Sequence, residues 1–306
     1  MKTYITMLFL LINLISFGQS EITSEEILIQ NDSIELPGTL TFSKANTSLI
    51  IWVHGSGNID RNGNQGTIIK ANYIKQFRDS INKKDIAFFS YDKRTSNKNN
   101  FKYLKNVIFT DFVNDIKKVI AHFKKDERFT KIILIGHSQG SLIAMLASEN
   151  IDKYISLAGP SKPIDQTIIE QIKTQSPFMV PIVKAHIKEL KETGAIKTVN
   201  PLLASLFNKQ NQPFFIDWMQ YNPSDEIKKL HIPILIINGT KDLQVKVDDA
   251  KELHNANPNS TLVIIDNMNH VLKHIDKDED NMSSYYSADF PISEKLIETI
   301  VNFIKK

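Results

Sequence analysis

Residues 131–148 read KIILIGHSQGSLIAMLAS, and this stretch decides the fold. The β-branched apolar run at 131–135 predicts a short buried strand, and the small and apolar residues at 141–148 predict a helix. Between them, residues 136–140 fit the pattern G-x-S-x-G, in which a sharp turn projects the central hydroxyl, here of Ser138, above the end of the strand. The alternative is a tight strand-to-helix turn in which Ser138 is an ordinary capping residue.

Apolar strand segments alternate with amphipathic helices on both sides of this stretch. Further strands are predicted at 26–30, 40–43, 48–54, 85–91, 153–157, 232–237 and 261–265, and further helices at 68–81, 109–123, 247–255 and 292–304. The Pro37-Gly38 pair predicts a turn between the first two strands. The alternation predicts an α/β fold with a mostly parallel, doubly wound sheet, in which the loops after the strands share one edge.

The alternation stops between residues 161 and 230, where the pattern is helical and apolar. We predict a helical cap over 161–230, inserted into a core formed by 21–160 and 231–306, because so long a connection is uncommon without structure of its own. The alternative is a set of ordinary crossover helices between two strands.

A serine hydroxyl becomes a good nucleophile only beside a general base, and that base needs an acid to orient it. Where the serine sits in a turn of this kind, the chain order is serine, acid, histidine. Asp242 follows the strand predicted at 232–237 and is the candidate acid. Asp248 and Asp249 compete with it, but they fall in the next predicted helix, where we expect both to face solvent.

His270 is the candidate base because it lies a few residues beyond the last predicted strand. His274 is its competitor, and the remaining histidines fit helices or the starts of loops. None of the histidines has the spacing of metal ligands, so the sequence predicts no metal site and no cofactor.

Two backbone N–H groups complete the candidate site as an oxyanion hole. One is that of Gln139, which follows the serine. The other is assigned to Ser56 in the loop His54-Gly55-Ser56-Gly57, where the glycines let the backbone approach a developing negative charge. Taken alone, this loop could be no more than a turn.

Composition excludes several classes of function. The chain has 306 residues, no cysteine and a formal net charge of +3. The absence of cysteine excludes disulfides, thiolate metal sites and a cysteine nucleophile. The weak charge, without a basic face interleaved with aromatic residues, argues against a nucleic-acid partner. The acidic run at 276–280 lacks the glycine and the ligand spacing of a calcium loop, and is interpreted as a solvated loop.

Residues 1–20 have the pattern of a signal peptide. Lys2 precedes a mostly apolar run at 4–17, and Ser16 and Gly18 supply small residues at the −3 and −1 positions of a cleavage site. The run is short for a membrane span. We therefore expect a protein exported to the periplasm or the medium, without stable membrane insertion after cleavage; the alternatives are a first strand or an uncleaved anchor.

Together these residues resemble the α/β-hydrolase superfamily, and within it a group of bacterial carboxylesterases and serine-aminopeptidase-like hydrolases. In that group the HGSG turn runs on into Asp-Arg-Asn-Gly-Asn, as residues 54–64 do here. Residues 91–94, 269–273 and 284–291 resemble other motifs of the group. After Arg94 the group has a glycine-rich turn, where this chain has Thr-Ser-Asn-Lys. The resemblance implies a cap over the site and hydrolysis of carboxylic esters.

Charged residues in two of these motifs suggest a brace beside the site. Asp60 and Arg61 could pair with each other, or with Asp92 and Arg94, and so join two loops. The alternative is that these are solvated loop charges.

The sequence thus predicts a serine hydrolase that cleaves esters with small to medium acyl groups, because the apolar segment at 161–230 would line a hydrophobic pocket. A serine peptidase with the same three side chains remains open. So does a binding protein that retains the fold without turnover, because fold alone does not determine function.

Overall fold

The structure, a computed structural model, describes residues 21–45 and 47–306. The signal peptide predicted at 1–20 lies outside the described residues. Within them, no helix is both long enough and apolar enough to cross a lipid bilayer.

One sheet of eight strands organises the described chain. The strands are β1 Thr23–Asn31, β2 Ile34–Phe42, β3 Thr47–Val53, β4 Ala87–Tyr91, β5 Phe129–His137, β6 Lys153–Leu157, β7 Ile234–Gly239 and β8 Thr261–Ile265. Their order across the sheet is β1-β2-β4-β3-β5-β6-β7-β8. The pairs β1/β2 and β2/β4 are antiparallel, whereas all other neighbours are parallel. The predicted mostly parallel sheet is therefore confirmed, and the carboxyl ends of β3 to β8 lie along one edge.

Helices cover both faces of the sheet. They are α1 Tyr73–Asn82, α2 Phe109–Phe123, α3 Gln139–Leu146, α4 Ile164–Gln175, α5 Val180–Thr193, α6 Ala204–Phe207, α7 Gln212–Trp218, α8 Pro223–Lys228, α9 Val247–Ala256, α10 Asp280–Ser283 and α11 Glu294–Lys305. The apolar side chains of α1 and α11 belong to one buried cluster, and those of α2, α3 and α9 belong to another. Along β3, Ile51 belongs to the second cluster, whereas Ile50 and Trp52 belong to the first. Because β3 is buried on both faces, its sequence is a mostly continuous apolar run and does not alternate between apolar and polar residues.

Helices α4 to α8 occupy the chain between β6 and β7, and no strand of the described chain falls there. The segment packs on α2, where the ring of Trp218 stacks on that of Phe109 with centroids 5.1 Å apart. Asp217 accepts hydrogen bonds from the N–H and the hydroxyl of Thr110, at 2.6 and 2.7 Å. The division of the chain into a core and a cap remains our interpretation of this arrangement.

The turn predicted at Pro37-Gly38 is wrong, because both residues lie within β2. The connection between the first two strands is instead made at Asp32, whose φ of 54° lies in the left-handed region that Asp adopts more readily than most residues. Gly38 serves packing rather than a turn: a Cβ there would lie 2.4 Å from the ring of Phe89. The helix predicted from residue 68 begins only at Tyr73.

Candidate active site

Ser138 lies between β5 and α3 with φ 55° and ψ −123°, a conformation that side-chain-bearing residues rarely adopt. Its N–H donates to the carbonyl of Leu157 on β6 at 2.9 Å, which fastens the turn to the neighbouring strand. Backbone strain of this kind persists only where the surrounding structure enforces it. The turn therefore holds the Ser138 side chain at the carboxyl edge of the sheet.

The two glycines of the pattern allow this turn to form. A Cβ on Gly136 would lie 2.4 Å from the carbonyl oxygen of Gly140. A Cβ on Gly140 would lie 2.2 Å from the carbonyl oxygen of Val53, at the end of β3. Because both obstacles are backbone atoms, only glycine fits at either position, which explains the G-x-S-x-G spacing.

Asp242 and His270 form a buried pair. His270 Nδ1 donates to Asp242 Oδ2 at 2.8 Å, and the two side chains are only 5% and 1% exposed. The other carboxylate oxygen, Oδ1, accepts from the N–H groups of Gln244 and Val245 at 2.8 and 2.9 Å. Since Nδ1 carries the proton in this bond, the neutral imidazole has its free lone pair at Nε2.

The loops that carry this pair are joined by backbone hydrogen bonds. The N–H of Lys241 donates to the carbonyl of Met268 at 3.0 Å, and that of Thr240 donates to Ile265 at 3.0 Å. A Cβ on Gly239 would lie 2.0 Å from the Met268 oxygen, so a glycine at the end of β7 is required for the loops to approach so closely.

Ser138 is linked to the pair through its neighbour His137. His137 Nε2–H donates to the carbonyl of His270 at 2.8 Å, and the two rings lie 4.8 Å apart between centroids. Burial, followed by the Coulombic effect of the neighbouring His270 ring, lowers the pKa of His137 to about 3, so the His137 ring is neutral. Ser138 Oγ itself makes no hydrogen bond to any described residue. In unliganded sites such bonds are often long, and they tighten when substrate binds.

The competing residues have other contacts. Asp248 is exposed and pairs with Lys251. Asp249 does not face solvent as expected: its Oδ1 accepts from the N–H and the hydroxyl of Ser161 at 2.9 and 2.8 Å, because α9 packs beside the loop after β6. His274 is half-exposed, and its ring hydrogen-bonds to Asp276.

Ser56 and Gln139 border the same cavity as Ser138. Gln139 is the first residue of α3, so its N–H has no acceptor within the helix. The N–H of Ser56 donates to no described residue. The loop before Ser56 passes against the candidate nucleophile, since a Cβ on Gly55 would lie 3.2 Å from Ser138 Cβ.

The cavity above Ser138 has a volume of about 650 Å³. Its apolar wall comes from α2, α4 and α7, through Phe112, Ile164, Ile168, Phe214, Phe215 and Trp218. Side-chain amides also border it, from Gln65, Gln171, Gln210, Asn211 and Gln244. The segment inserted between β6 and β7 therefore contributes a large part of the apolar wall of the cavity.

The charged brace predicted beside the site exists in part. Arg61 binds Asp92 through two parallel hydrogen bonds, Nε to Oδ1 at 3.0 Å and Nη2 to Oδ2 at 2.9 Å. Asp60 instead accepts from the backbone of its own loop. Arg94 binds Asp115 on α2, with Nε 2.7 Å from Oδ2. The first pair joins the loop after β3 to the loop after β4.

No group of three His, Asp or Glu residues in the described ranges is placed to hold a metal ion. Within the acidic run at 276–280, Asp278 pairs with Lys241 and Asp276 contacts His274.

Two residues at this site escaped the sequence analysis. His137 occupies a variable position of the G-x-S-x-G pattern, and nothing in its spacing marks it. Lys93 lies two residues after the end of β4 and is buried at the cavity floor, where it borders Gln139. The one available signal for Lys93 was its place in the motif at 91–94.

The family model described as BD-FAE matches residues 39–256, which is more than half of the chain. The chain belongs to the BD-FAE family. The match includes Ser138 and Asp242 and ends before His270. Among curated relatives of this BD-FAE member, esterase EstD of Thermotoga maritima is 23% identical over 261 residues, which cover 78% of this chain. The chain spans 58% of the length of EstD.

Solved structures place the BD-FAE member among the α/β-hydrolase folds. The ferulic-acid complex of Est1E from Butyrivibrio proteoclasticus superposes with a TM-score of 0.60 at 20% identity, covering 92% of this chain and 100% of Est1E. The esterase Pf2001 from Pyrococcus furiosus reaches 0.60 at 18% identity, covering 93% and 92% of the two chains. The predicted α/β-hydrolase fold is confirmed. The narrower resemblance carried by the loop at 54–64 stays a prediction.

Proposed function

We propose that this BD-FAE member is a carboxylic ester hydrolase with Ser138 as nucleophile. The observation that carries the proposal is the buried Asp242–His270 hydrogen bond, which His137 connects to a serine held at positive φ under a cavity. A buried carboxylate that orients an imidazole is the arrangement that activates a serine hydroxyl in acyl transfer. The name of the relative EstD agrees with this activity.

The proposed mechanism is acyl transfer. Ser138 Oγ attacks the ester carbonyl while His270 Nε2 takes its proton, and Asp242 stabilises the resulting imidazolium. The N–H groups of Gln139 and Ser56 receive the oxyanion, which is worth several kcal/mol of transition-state stabilisation. His270 then protonates the leaving alcohol and activates the water that cleaves the acyl-enzyme.

The proposed substrates are esters with small to medium acyl groups. The apolar wall of the cavity supports this choice, because apolar side chains contribute most to the binding of such groups. Since Est1E has a structure with ferulic acid bound, an aromatic acyl group also belongs in the substrate panel.

The test is hydrolysis of p-nitrophenyl esters of increasing chain length, a feruloyl ester and aminoacyl p-nitroanilides. We expect ester cleavage by the wild type, none by Ser138→Ala, and unchanged cleavage by the matched control Ser148→Ala, whose hydroxyl binds Met145 at the far end of α3. A faster anilide reaction would favour a peptidase. A folded wild type that neither turns over ester nor reacts with a fluorophosphonate would favour a binding protein.

We further propose that the protein is exported, on the pattern at residues 1–20. Fractionation of producing cells tests this, with the expected result that mature protein lacking the apolar run is found outside the cytoplasm. Full-length protein in the cytoplasm would overturn the proposal.

A further inference from the structure

Lys93 is only 3% exposed and follows β4 at the floor of the cavity. Its ammonium donates to the carbonyl of Gly55 at 2.7 Å and to the Oε1 of Gln139 at 3.0 Å. The ring of Phe112 covers it, with Nζ 4.7 Å from the centroid. The first two neighbours belong to the two segments that supply the candidate oxyanion donors.

The bond to Gly55 determines where the Ser56 N–H points. Across a trans peptide bond the C=O and the following N–H point in opposite directions. Anchoring the Gly55 oxygen on Lys93 therefore directs the Ser56 N–H away from the ammonium, and that N–H donates to no described residue. Glycines on both sides of Ser56 leave this loop weakly restrained by its own sterics, so an external contact is needed.

The bond to Gln139 acts on the second donor. Gln139 is the first residue of α3, and Oε1 of its buried side chain accepts from Lys93. One cation thus connects the loop after β3 with the start of α3, across the position of Ser138.

The surroundings of Lys93 argue against a purely structural role. No carboxylate among the described residues forms an ion pair with it, since the nearby Asp115 binds Arg94. Burial lowers the pKa of Lys93 to about 7. Burying a protonated amine that contacts only neutral oxygens and a ring costs free energy, and such groups concentrate at functional sites.

We propose that Lys93 is a positioning residue that aligns the Ser56 and Gln139 N–H groups into an oxyanion hole. The inference rests on the proposed function of Ser138. It assigns Lys93 no contact with the reacting atoms; its effect passes through Gly55 and the side chain of Gln139.

The experiment compares Lys93→Met with Lys153→Met. Lys153 is a matched control because it is 7% exposed and donates to two carbonyls of α11, Phe303 at 2.7 Å and Ile304 at 3.2 Å, and it does not border the cavity. We expect Lys93→Met to lower kcat for the best ester by about 100-fold with KM changed less than about threefold, because only transition-state stabilisation is lost. Lys153→Met is expected to change neither.

The proposal would be overturned by a kcat within threefold of wild type. It would also be overturned by a KM that changes by the same factor as kcat. If Lys93→Met does not fold, Lys93→Gln replaces it, with the same expected split. Residual dipolar couplings of the Ser56 and Gln139 N–H bonds report the directions of these bonds without substrate, and we expect the Ser56 coupling to change in Lys93→Met but not in Lys153→Met. Unchanged couplings overturn the positioning role even if the wild type proves inactive on esters, so failure of the proposed function is distinguished from failure of this inference.

Discussion

Ser138 stores strain in its backbone, with φ 55° and ψ −123°. The two flanking glycines and the bond to Leu157 hold the turn, so the residue cannot relax into an ordinary conformation. Alanine at this position would carry the same penalty as serine, whereas glycine would not, because a residue without Cβ adopts positive φ freely.

Ser138→Gly is therefore expected to be more stable than Ser138→Ala, by about 1 kcal/mol in the free energy of unfolding, while both are inactive. Urea unfolding of the two variants measures the difference. Equal stabilities would mean that the turn is not strained.

Asp242 differs from its exposed competitor Asp248 in the burial of its carboxylate, and from Asp249 in its hydrogen bond to His270. Asparagine would preserve the shape but would favour the wrong imidazole tautomer, with the proton on Nε2. We expect Asp242→Asn to lower kcat by about 10,000-fold, since the base would then be unable to accept the serine proton.

The exposed Asp248→Asn on α9 is the control, and we expect it to retain wild-type turnover. Steady-state kinetics on one p-nitrophenyl ester compares the two variants. Comparable activity in both would remove Asp242 from the mechanism.

At the scale of elements, the end of β4 connects three parts of the protein. Asp92 and Lys93 bind the loop at 54–64, while Arg94 turns away and binds Asp115 of α2. Successive residues after a strand point in different directions, so one short segment can fix the loop at 54–64 and helix α2 together.

Helix α7 closes the cavity by packing on α2 through Trp218. Trp218→Ala is expected to shift the preference in kcat/KM toward longer acyl chains, because the removed ring leaves space in the apolar wall. The lost packing should also lower the free energy of unfolding by about 3 kcal/mol.

Phe178→Ala is the matched control, as an aromatic residue of the same inserted segment that is 72% exposed. The ester chain-length series, run on both variants, provides the comparison. An unaltered profile for Trp218→Ala would show that α7 does not bound the acyl site.

At the scale of the whole molecule, the stability of the fold depends on two buried neutral histidines. Burial and the charge of Lys93 lower the pKa of His54 to about 3. The pKa of His137 is also lowered to about 3, mainly by burial. Both rings remain neutral in the folded protein, whereas in the unfolded chain they take up protons below about pH 6.5.

The unfolded state thus binds more protons than the folded state below pH 6.5, so the stability from these rings is present above that pH and is lost as the pH falls toward 3. As the pH falls from 7 to 5, each ring is expected to lower the free energy of unfolding by about 2 kcal/mol. Urea unfolding at both pH values tests this, with a smaller loss expected for His54→Gln than for the wild type. Identical losses would mean that burial does not keep the His54 ring neutral in the folded protein.

The sequence by itself determined the parallel sheet and the order in which Ser138, Asp242 and His270 follow their strands. Apolar runs and helical periodicity are local properties, and parallel strands bring the residues after their carboxyl ends to one edge. The Pro37-Gly38 pair led to a wrong turn prediction because a turn motif is also a local property. The glycine is required by the ring of Phe89, which is 51 positions away in the chain.

Only the tertiary structure decided the partners of the remaining side chains. The contacts of Lys93 with Gly55 and Gln139 span 38 and 46 positions, and that of His137 with His270 spans 133. Such contacts depend on how strands that are distant in the chain become neighbours, and no residue spacing encodes them. A candidate nucleophile could therefore be nominated from a pentapeptide, whereas the lysine proposed to align the N–H groups of Ser56 and Gln139 became visible only once β3, β4 and β5 lay side by side.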